Sequence, residues 1–262
     1  MSGAWEKELK LALDLARQAG DYLRGKFENH RSEIRSGLVS RGKDIKIAAD
    51  REAEKIILDG LTSESDLSIL TEESGEFGDP DPDGESPIWV IDPLDGTFNY
   101  SRGLPACCVS IALWRAGAPA FGVIYDFFSD EMYRGVPGEG AFLNDSPISV
   151  ADTEDLGEAA IATGFPQNRD YSAETLGKTV EIVRLYKKIR MTGSGAISLA
   201  YLASGRVDVY MEEDIMFWDV AAGIALIQAA GGVTHMENSE RMKWGRKVIC
   251  AARSYPGVFP KS

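Results

Sequence analysis

The stretch Trp89-Val-Ile-Asp92-Pro93-Leu94-Asp95-Gly96-Thr97-Phe98-Asn99-Tyr100 is the most informative part of the sequence. An apolar strand leads to Asp92, and Pro93 then fixes the turn and removes a backbone donor. Asp92, the Leu94 carbonyl and Asp95 can therefore converge on one spot. Two carboxylates this close in a turn, with a free carbonyl between them, suit a divalent cation that prefers oxygen ligands.

The next two residues, Gly96 and Thr97, allow a close approach of the backbone at the start of a predicted helix. Amide groups at a helix start favour a phosphate group. The same pattern is also typical of an aspartate-rich turn that only caps a helix, so one such motif does not decide the function.

A second motif, Trp218-Asp219, stands at the head of an apolar helix predicted over residues 220–230. An aspartate in this place is typical of a helix N-cap, which contributes about 1 kcal/mol. Two further acidic sites are Asp50, just inside another predicted helix, and Glu72, which opens an acidic loop. Their simpler interpretations are a charged helix end and solvated surface.

Composition excludes several classes of protein. Of 262 residues, 44% are hydrophobic, and 28 basic against 41 acidic side chains give a net charge of −13, which would repel nucleic-acid phosphates and anionic lipid. The cysteines Cys107, Cys108 and Cys250 form no zinc or redox motif, and two histidines make a histidine-rich metal site improbable. The first residues lack an apolar segment, and the apolar run 220–233 is too short to span a membrane. We therefore expect a soluble cytoplasmic protein that binds neither nucleic acid nor membrane.

Hydrophobic periodicity predicts a mixed α and β protein. Amphipathic helices are expected over residues 5–27 and 48–61, a loop over 71–87, and then consecutive strands of an antiparallel sheet. These strands are expected at 88–91, 109–114, 121–125 and 131–134. From about residue 150 strands and helices alternate, with strands at 159–163, 188–191, 207–211 and 248–252 and helices at 173–186, 194–204 and 218–230. We assign residues 1–150 to an N-terminal α+β part and residues 151–262 to a C-terminal α/β part that contains the Trp-Asp motif.

The motifs taken together resemble the inositol monophosphatases, within the magnesium-dependent, lithium-sensitive phosphatase superfamily that also includes fructose-bisphosphatases. The resemblance runs in order through nearly the whole chain. It rests on residues 44–50, Glu72-Glu73-Ser74-Gly75, the block 92–100, Gly140-Ala-Phe142 with Asn144, residues 190–195, and Trp218-Asp219-Val-Ala-Ala-Gly223. It implies an α+β layered αβαβα sandwich, a metal site between its halves, and a homodimer.

Carried over by position, the resemblance implies two to three magnesium ions. Glu72, Asp92 and the Leu94 carbonyl would hold the first ion. Asp92, Asp95 and Asp219 would hold a second, and Glu72 would also touch a third, weaker one. Such a site can bridge phosphoryl oxygens and stabilise the leaving alkoxide during in-line displacement.

The resemblance also implies catalytic and substrate-binding roles. Thr97 would orient the attacking water with help from Asp50 and Glu72, and the Gly96 and Thr97 amides would bind the phosphate. The loop 163–166 would close one side of the site. Arg41 and Lys43 are candidates for a basic residue that the family places before its first strand, but neither aligns cleanly. The substrate-binding residues would be Asp95, Gly193, Ser194, Gly195 and Glu212. Glu212, and not its neighbour Glu213, would be the glutamate that binds substrate hydroxyls.

These observations favour a magnesium-dependent phosphomonoesterase acting on a small polyol or sugar phosphate, with inositol 1-phosphate as the first substrate to consider. Phe98-Asn99-Tyr100 resembles the inositol monophosphatases, whereas nucleotide bisphosphate phosphatases typically have Lys-Glu-Phe there. Fructose-1,6-bisphosphatase remains the alternative. An aspartyl-phosphate mechanism of the haloacid dehalogenase type needs one residue fewer between Asp92 and Thr97. The least favoured hypothesis is a non-catalytic binding protein on the same fold, because every proposed metal ligand is present.

Overall fold

Two β-sheets follow one another along the chain in the computed structural model, which describes residues 3–29, 48–165 and 171–259. The described helices are α1 (Glu6–Asn29), α2 (Ala48–Glu64), α3 (Thr97–Arg102), α4 (Ala173–Val183), α5 (Gly195–Ala203) and α6 (Phe217–Ala229). The strands of the first sheet are β1 (Ser68–Thr71), β2 (Gly75–Phe77), β3 (Ile88–Asp95), β4 (Cys108–Arg115), β5 (Ala118–Asp126), β6 (Glu131–Val136), β7 (Gly140–Leu143) and β8 (Ser146–Ile148). Those of the second are β9 (Ala160–Thr163), β10 (Lys188–Arg190), β11 (Val209–Met216), β12 (Val233–Asn238) and β13 (Gly245–Ala251).

The first sheet has the order β2-β1-β3-β4-β5-β6-β7-β8 and the second the order β10-β9-β11-β13-β12. The expected mixed fold with two sheets is confirmed. The first sheet differs from a purely antiparallel one because β1 runs parallel to β3, with Thr71 opposite Ile91. The carboxyl ends of β1 and β3 therefore lie at the same edge of the sheet, which matters for the site described below.

Helices cover both faces of the first sheet. On one face α1 and α2 pack through small and branched side chains such as Ala16, Leu23 and Ile57. On the other face α5 and α6 lie between the two sheets, and most of their residues are apolar and buried, as is typical of a helix packed on both faces. The backbone of α6 lies so close to β5 that a Cβ on Gly122 would be 2.3 Å from the Ala222 carbonyl oxygen.

The outer face of the second sheet carries a smaller apolar cluster. It includes Tyr186, Tyr255 and Val258 together with side chains from β9, β11 and β13. None of the residues of α4 is buried. Among the described residues, no helix combines the length and apolar character that crossing a membrane requires.

Several elements differ from those expected from periodicity. Strand β2 lies inside the acidic stretch predicted as loop, and β1, β7, β8 and β12 were not predicted as strands at all. Helix α4 ends at Val183 rather than at residue 186, and α6 begins one residue early, at Phe217. The missed strands are short or polar, with β12 at an edge of its sheet, so their side chains lack the alternation that burial on one face produces.

Candidate active site

The Asp92 to Asp95 turn lies at the carboxyl end of β3, as the sequence predicts. The pairing of β3 with β4 shifts register between these two aspartates, and the extra residues form a bulge. Asp92 is 1% exposed and its Oδ1 accepts a hydrogen bond of 2.9 Å from the Leu94 amide. The turn therefore fixes Asp92 while leaving its second carboxylate oxygen for another partner.

Three acidic side chains converge beside this turn. Carboxylate oxygens of Glu72, Asp92 and Asp219 all lie within 4.8 Å of one another, an arrangement that could hold a metal ion. Glu72 follows β1 directly, and because β1 is parallel to β3 its amide meets the Ile91 carbonyl at 3.3 Å. Asp219 enters from the first turn of α6.

The position of Asp219 corrects one sequence interpretation. It is the third residue of α6, and the N-cap is Met216 rather than Asp219. The Asp219 Oδ2 reaches back to accept a hydrogen bond of 3.3 Å from the Met216 amide, as in a capping box. The carboxylate therefore belongs both to the helix start and to the acidic cluster.

Asp95 points toward the start of α5. Its Oδ2 accepts hydrogen bonds from the Ser194 hydroxyl at 2.5 Å and the Ala196 amide at 2.7 Å. Asp95 is not part of the acidic cluster. Among the described residues, that cluster consists of Glu72, Asp92 and Asp219, each with one carboxylate oxygen within 4.8 Å of the others. Asp95 thus links the acidic cluster to the 193–195 turn that the sequence singled out.

Burial and mutual repulsion shift the acidity of this cluster. Burial, followed by the charges of Glu72, Asp95 and Asp219, raises the pKa of Asp92 well above its usual value. Burial, followed by the charges of Asp95 and Glu72, does the same to the pKa of Asp219. Burial raises the pKa of Asp95 to about 6, although the hydrogen bonds from Ser194 and the nearby amides oppose the shift. Each carboxylate is easier to ionise when a cation is bound nearby, so the cluster favours cation binding.

Thr97 and Asp50 lie next to each other, as the resemblance implies. The Thr97 hydroxyl is 3.1 Å from the Leu94 carbonyl and 3.5 Å from the Asp50 Oδ2. Asp50 is 3% exposed, on the first turn of α2. Gly96 has a φ of 88°, and a Cβ there would lie 2.7 Å from the Ala106 carbonyl oxygen, so this position requires glycine.

A cleft of about 640 Å³ opens above the acidic cluster. Its wall includes Glu212, whose Oε2 accepts a hydrogen bond of 2.8 Å from the Tyr210 hydroxyl. The Glu212 carboxylate packs on Gly164, where a Cβ would lie 2.5 Å from Oε1. Of the predicted site residues, the cleft is lined by Glu72, Asp92, Leu94, Asp95, Gly96, Thr97, Gly193, Ser194, Gly195, Glu212 and Asp219, but not by Asp50.

The loop 163–166 enters the cleft wall through Thr163, Gly164 and Phe165, and its last residue lies outside the described residues. Arg41 and Lys43 also lie outside them.

Two residues near the site were not identified as functional from the sequence. Asn99, 6% exposed, donates from Nδ2 to the Ala106 carbonyl at 2.7 Å and the Thr192 carbonyl at 2.8 Å. It thereby joins α3 to the 193–195 turn. Tyr210 supports Glu212 from two residues earlier in β11. Sequence reasoning used Asn99 only to separate branches of a family, because its long-range partner cannot be seen from local spacing.

The sequence profile of the inositol monophosphatase family matches residues 4–260 of the chain. The chain belongs to the inositol monophosphatase family. One relative of this chain is the Nus factor SuhB of Xylella fastidiosa, which is 43% identical over 185 residues. The aligned residues span 70% of this chain and 66% of that protein. Inositol monophosphatase 3 of Solanum lycopersicum is 34% identical over 267 residues and covers 100% of this chain and 98% of its own.

Solved structures agree with this membership. The inositol monophosphatase from Anabaena (Nostoc) sp. PCC 7120 superposes with a TM-score of 0.79 at 38% identity, covering 95% of this chain and 92% of that one. The family resemblance predicted from the motifs is therefore confirmed. The expectation of a phosphoric monoester hydrolase of the inositol monophosphatase type is confirmed with it.

Proposed function

We propose that this protein is a magnesium-dependent phosphatase that hydrolyses a small polyol or sugar phosphate, with inositol 1-phosphate as the leading substrate. The observation that carries the proposal is the convergence of Glu72, Asp92 and Asp219 within 4.8 Å at the base of a cleft. Hard carboxylate oxygens are the ligands that magnesium prefers. The raised pKa values of Asp92 and Asp219 fit a site whose charge is completed by a cation.

In this proposal Glu72, Asp92 and the Leu94 carbonyl hold one ion, and Asp92, Asp95 and Asp219 hold a second, while Glu72 also reaches a third. Bound magnesium supplies positive charge to the phosphoryl oxygens and makes a water more acidic. The chain itself supplies the geometry. Because Asp92 is nearly inaccessible and its Oδ1 is already engaged, its orientation is set before any ligand arrives.

Thr97 and Asp50 orient the attacking water in the same proposal, together with Glu72. The Thr97 hydroxyl donates its proton toward Asp50 or the Leu94 carbonyl, which leaves its oxygen free to accept a hydrogen bond from the water. The water is thereby held with a lone pair available for phosphorus, opposite the leaving alkoxide. The amides of Gly96 and Thr97 donate to the phosphate. No side chain becomes phosphorylated.

The substrate polyol contacts Asp95, Glu212 and the turn 193–195 in this proposal. Tyr210 fixes the Glu212 carboxylate, and the absence of a side chain at Gly164 gives that carboxylate its place. Two adjacent hydroxyls on a ring match the two oxygens of one carboxylate, so Glu212 favours a polyol or sugar over a simple alkyl phosphate.

The decisive experiment measures phosphate release, with and without magnesium, from inositol 1-phosphate, fructose 1,6-bisphosphate, adenosine 3′,5′-bisphosphate and glycerol 2-phosphate. Asp92→Asn should abolish turnover, whereas Glu212→Gln should chiefly raise KM or change the preferred substrate. Near-normal rates in Asp92→Asn would refute the metal assignment. A phosphorylated Asp92 trapped by rapid quench would instead support the haloacid dehalogenase mechanism.

Family membership also supports proposals about the state of the protein. We propose a cytoplasmic homodimer that lithium inhibits. Val180, Leu185 and Met191 are large apolar side chains that this structure leaves exposed. Light scattering on the purified chain tests the dimer, and lithium titration of the magnesium-dependent rate tests the inhibition.

A further inference from the structure

Glu54 lies on α2, one turn after Asp50, and is 3% exposed. Its carboxylate accepts three hydrogen bonds. The Thr71 hydroxyl donates to Oε1 at 2.7 Å, the Ser74 amide donates to Oε1 at 3.0 Å, and the Ser74 hydroxyl donates to Oε2 at 2.5 Å. All three donors belong to the two residues that flank Glu72 and its neighbour Glu73.

These donors lie next to the point where the pairing of β1 with β3 ends. The pairing of β1 with β3 ends at Thr71 opposite Ile91, and beyond it the Glu72 amide donates to the Ile91 carbonyl at 3.3 Å. The chain then turns toward β2. Glu54 therefore forms hydrogen bonds with the chain before and after Glu72. The helix that carries Glu54 is itself packed on the sheet.

We propose that Glu54 is a positioning residue that holds the Glu72 carboxylate in place to receive the metal ion. The inference rests on the proposed function, because it assigns Glu72 as a metal ligand. Through Asp50 and Glu54, successive turns of one helix contact both the Thr97 hydroxyl and the Glu72 turn. Helix α2 therefore sets the distance between the group that orients water and the group that binds metal.

The three hydrogen bonds that Glu54 accepts do not require its negative charge. A glutamine variant can therefore be compared with an alanine variant. In Glu54→Gln the amide oxygen can accept from Thr71 and from the Ser74 amide, while the amide nitrogen donates to the Ser74 hydroxyl, which is also an acceptor. Glu54→Ala removes all three contacts. Asp208→Ala is the matched control, since Asp208 is also a buried carboxylate with a backbone donor, the Ala160 amide at 2.7 Å, but does not line the cleft.

The experiment is isothermal titration of magnesium into the chelator-treated full chain, paired with the magnesium-dependent shift in Tm. Removing the support of a metal ligand typically weakens binding by about 10- to 100-fold. Glu54→Ala should therefore weaken magnesium binding at least about tenfold, Glu54→Gln should stay within about threefold of the natural chain, and Asp208→Ala should lower Tm without changing the magnesium Kd.

The proposal would be overturned if Glu54→Ala bound magnesium with the same Kd as the natural chain. It would also be overturned if Asp208→Ala weakened magnesium binding as much as Glu54→Ala does. If Glu54→Ala does not fold, Ser74→Ala decides the question, because it removes one contact and should weaken magnesium binding by a smaller factor in the same direction. An unchanged Kd in that variant overturns the proposal. Magnesium binding by the natural chain without phosphate release refutes the proposed reaction alone, whereas absence of magnesium binding refutes both.

Discussion

Replacing Asp95 by asparagine should stabilise the metal-free protein at neutral pH, although it removes a proposed metal ligand. Burial raises the pKa of Asp95 from 3.8 to about 6. Each pKa unit corresponds to about 1.4 kcal/mol, so the ionised side chain lowers the free energy of unfolding by about 3 kcal/mol relative to its protonated form. Asparagine resembles the protonated form and keeps an oxygen that can accept from Ser194 and Ala196.

The pH dependence has a definite sign. Because the folded protein holds the Asp95 proton more tightly than the unfolded chain, the stabilisation is complete below about pH 4 and is lost as pH rises through about 6. Between pH 5 and pH 8 this residue alone should lower the free energy of unfolding by about 1 kcal/mol. Asp92 and Asp219 act in the same direction, since their pKa values are also raised and Asp95 contributes to both shifts.

Urea unfolding of the chelator-treated protein from pH 5 to pH 8 measures these effects. Asp95→Asn should show a flatter pH profile and, at pH 8, up to about 3 kcal/mol more stability than the natural chain. Saturating magnesium should reverse that order, because it binds the folded natural chain more tightly. Asp145→Asn removes the same charge from an exposed position and should leave the profile unchanged. A metal-free Asp95→Asn that is less stable at pH 8, with an unchanged pH slope, would refute the reasoning.

Three further substitutions test the packing around the site. Gly122→Ala should lower the free energy of unfolding by about 3 kcal/mol, measured by thermal unfolding, because the new carbon would lie 2.3 Å from the Ala222 carbonyl oxygen. Asn99→Ala should cost about 1–3 kcal/mol in urea unfolding and raise KM, because it leaves two carbonyls without their donor and loosens the adjacent turn. Gly164→Ala should change the ratio of kcat/KM values between polyol and sugar phosphates, because its methyl group would displace the Glu212 carboxylate.

A control for the glycine substitutions is Gly177→Ala on α4, where a Cβ would meet no atom within 4 Å. It should be neutral or stabilise the protein by up to about 1 kcal/mol through helix propensity. Equal effects at Gly122 and Gly177 would contradict the close approach of α6 to β5. An unchanged substrate ratio in Gly164→Ala would contradict the proposed role of Glu212 in binding the polyol.

Periodicity and local turn chemistry predicted the parts of the fold that are decided within a short stretch of chain. Helices α1 and α2 begin close to their predicted starts because their apolar residues recur every three or four positions against one sheet face. The Asp92 turn was predicted because proline and glycine fix its backbone locally. The roles proposed for Thr97, Asp50, Glu72 and Asp219 follow from the family resemblance, because local spacing alone does not show that these residues converge.

Features that depend on distant partners were not predictable in this way. Strand β1 owes its parallel pairing to β3, and β2 is paired to β1 although its residues read as an acidic loop. Glu54 lies in a helix segment that is rich in charged residues, so nothing in its neighbours marks it as buried. The sequence interpretation took Asp219 as the N-cap, whereas the N-cap is Met216. The helix start depends on β11, which extends to Met216.

The burial of α6 between the two sheets also determines when the acidic cluster is complete during biosynthesis. Glu72 and Asp92 emerge from the ribosome early, within the first sheet, whereas Asp219 arrives with the helix that must dock between the sheets. The cluster is incomplete until α6 docks, because Asp219 is its third member. If the cluster binds a metal ion as proposed, the complete site forms only after α6 has docked, so metal binding would be a late step of folding.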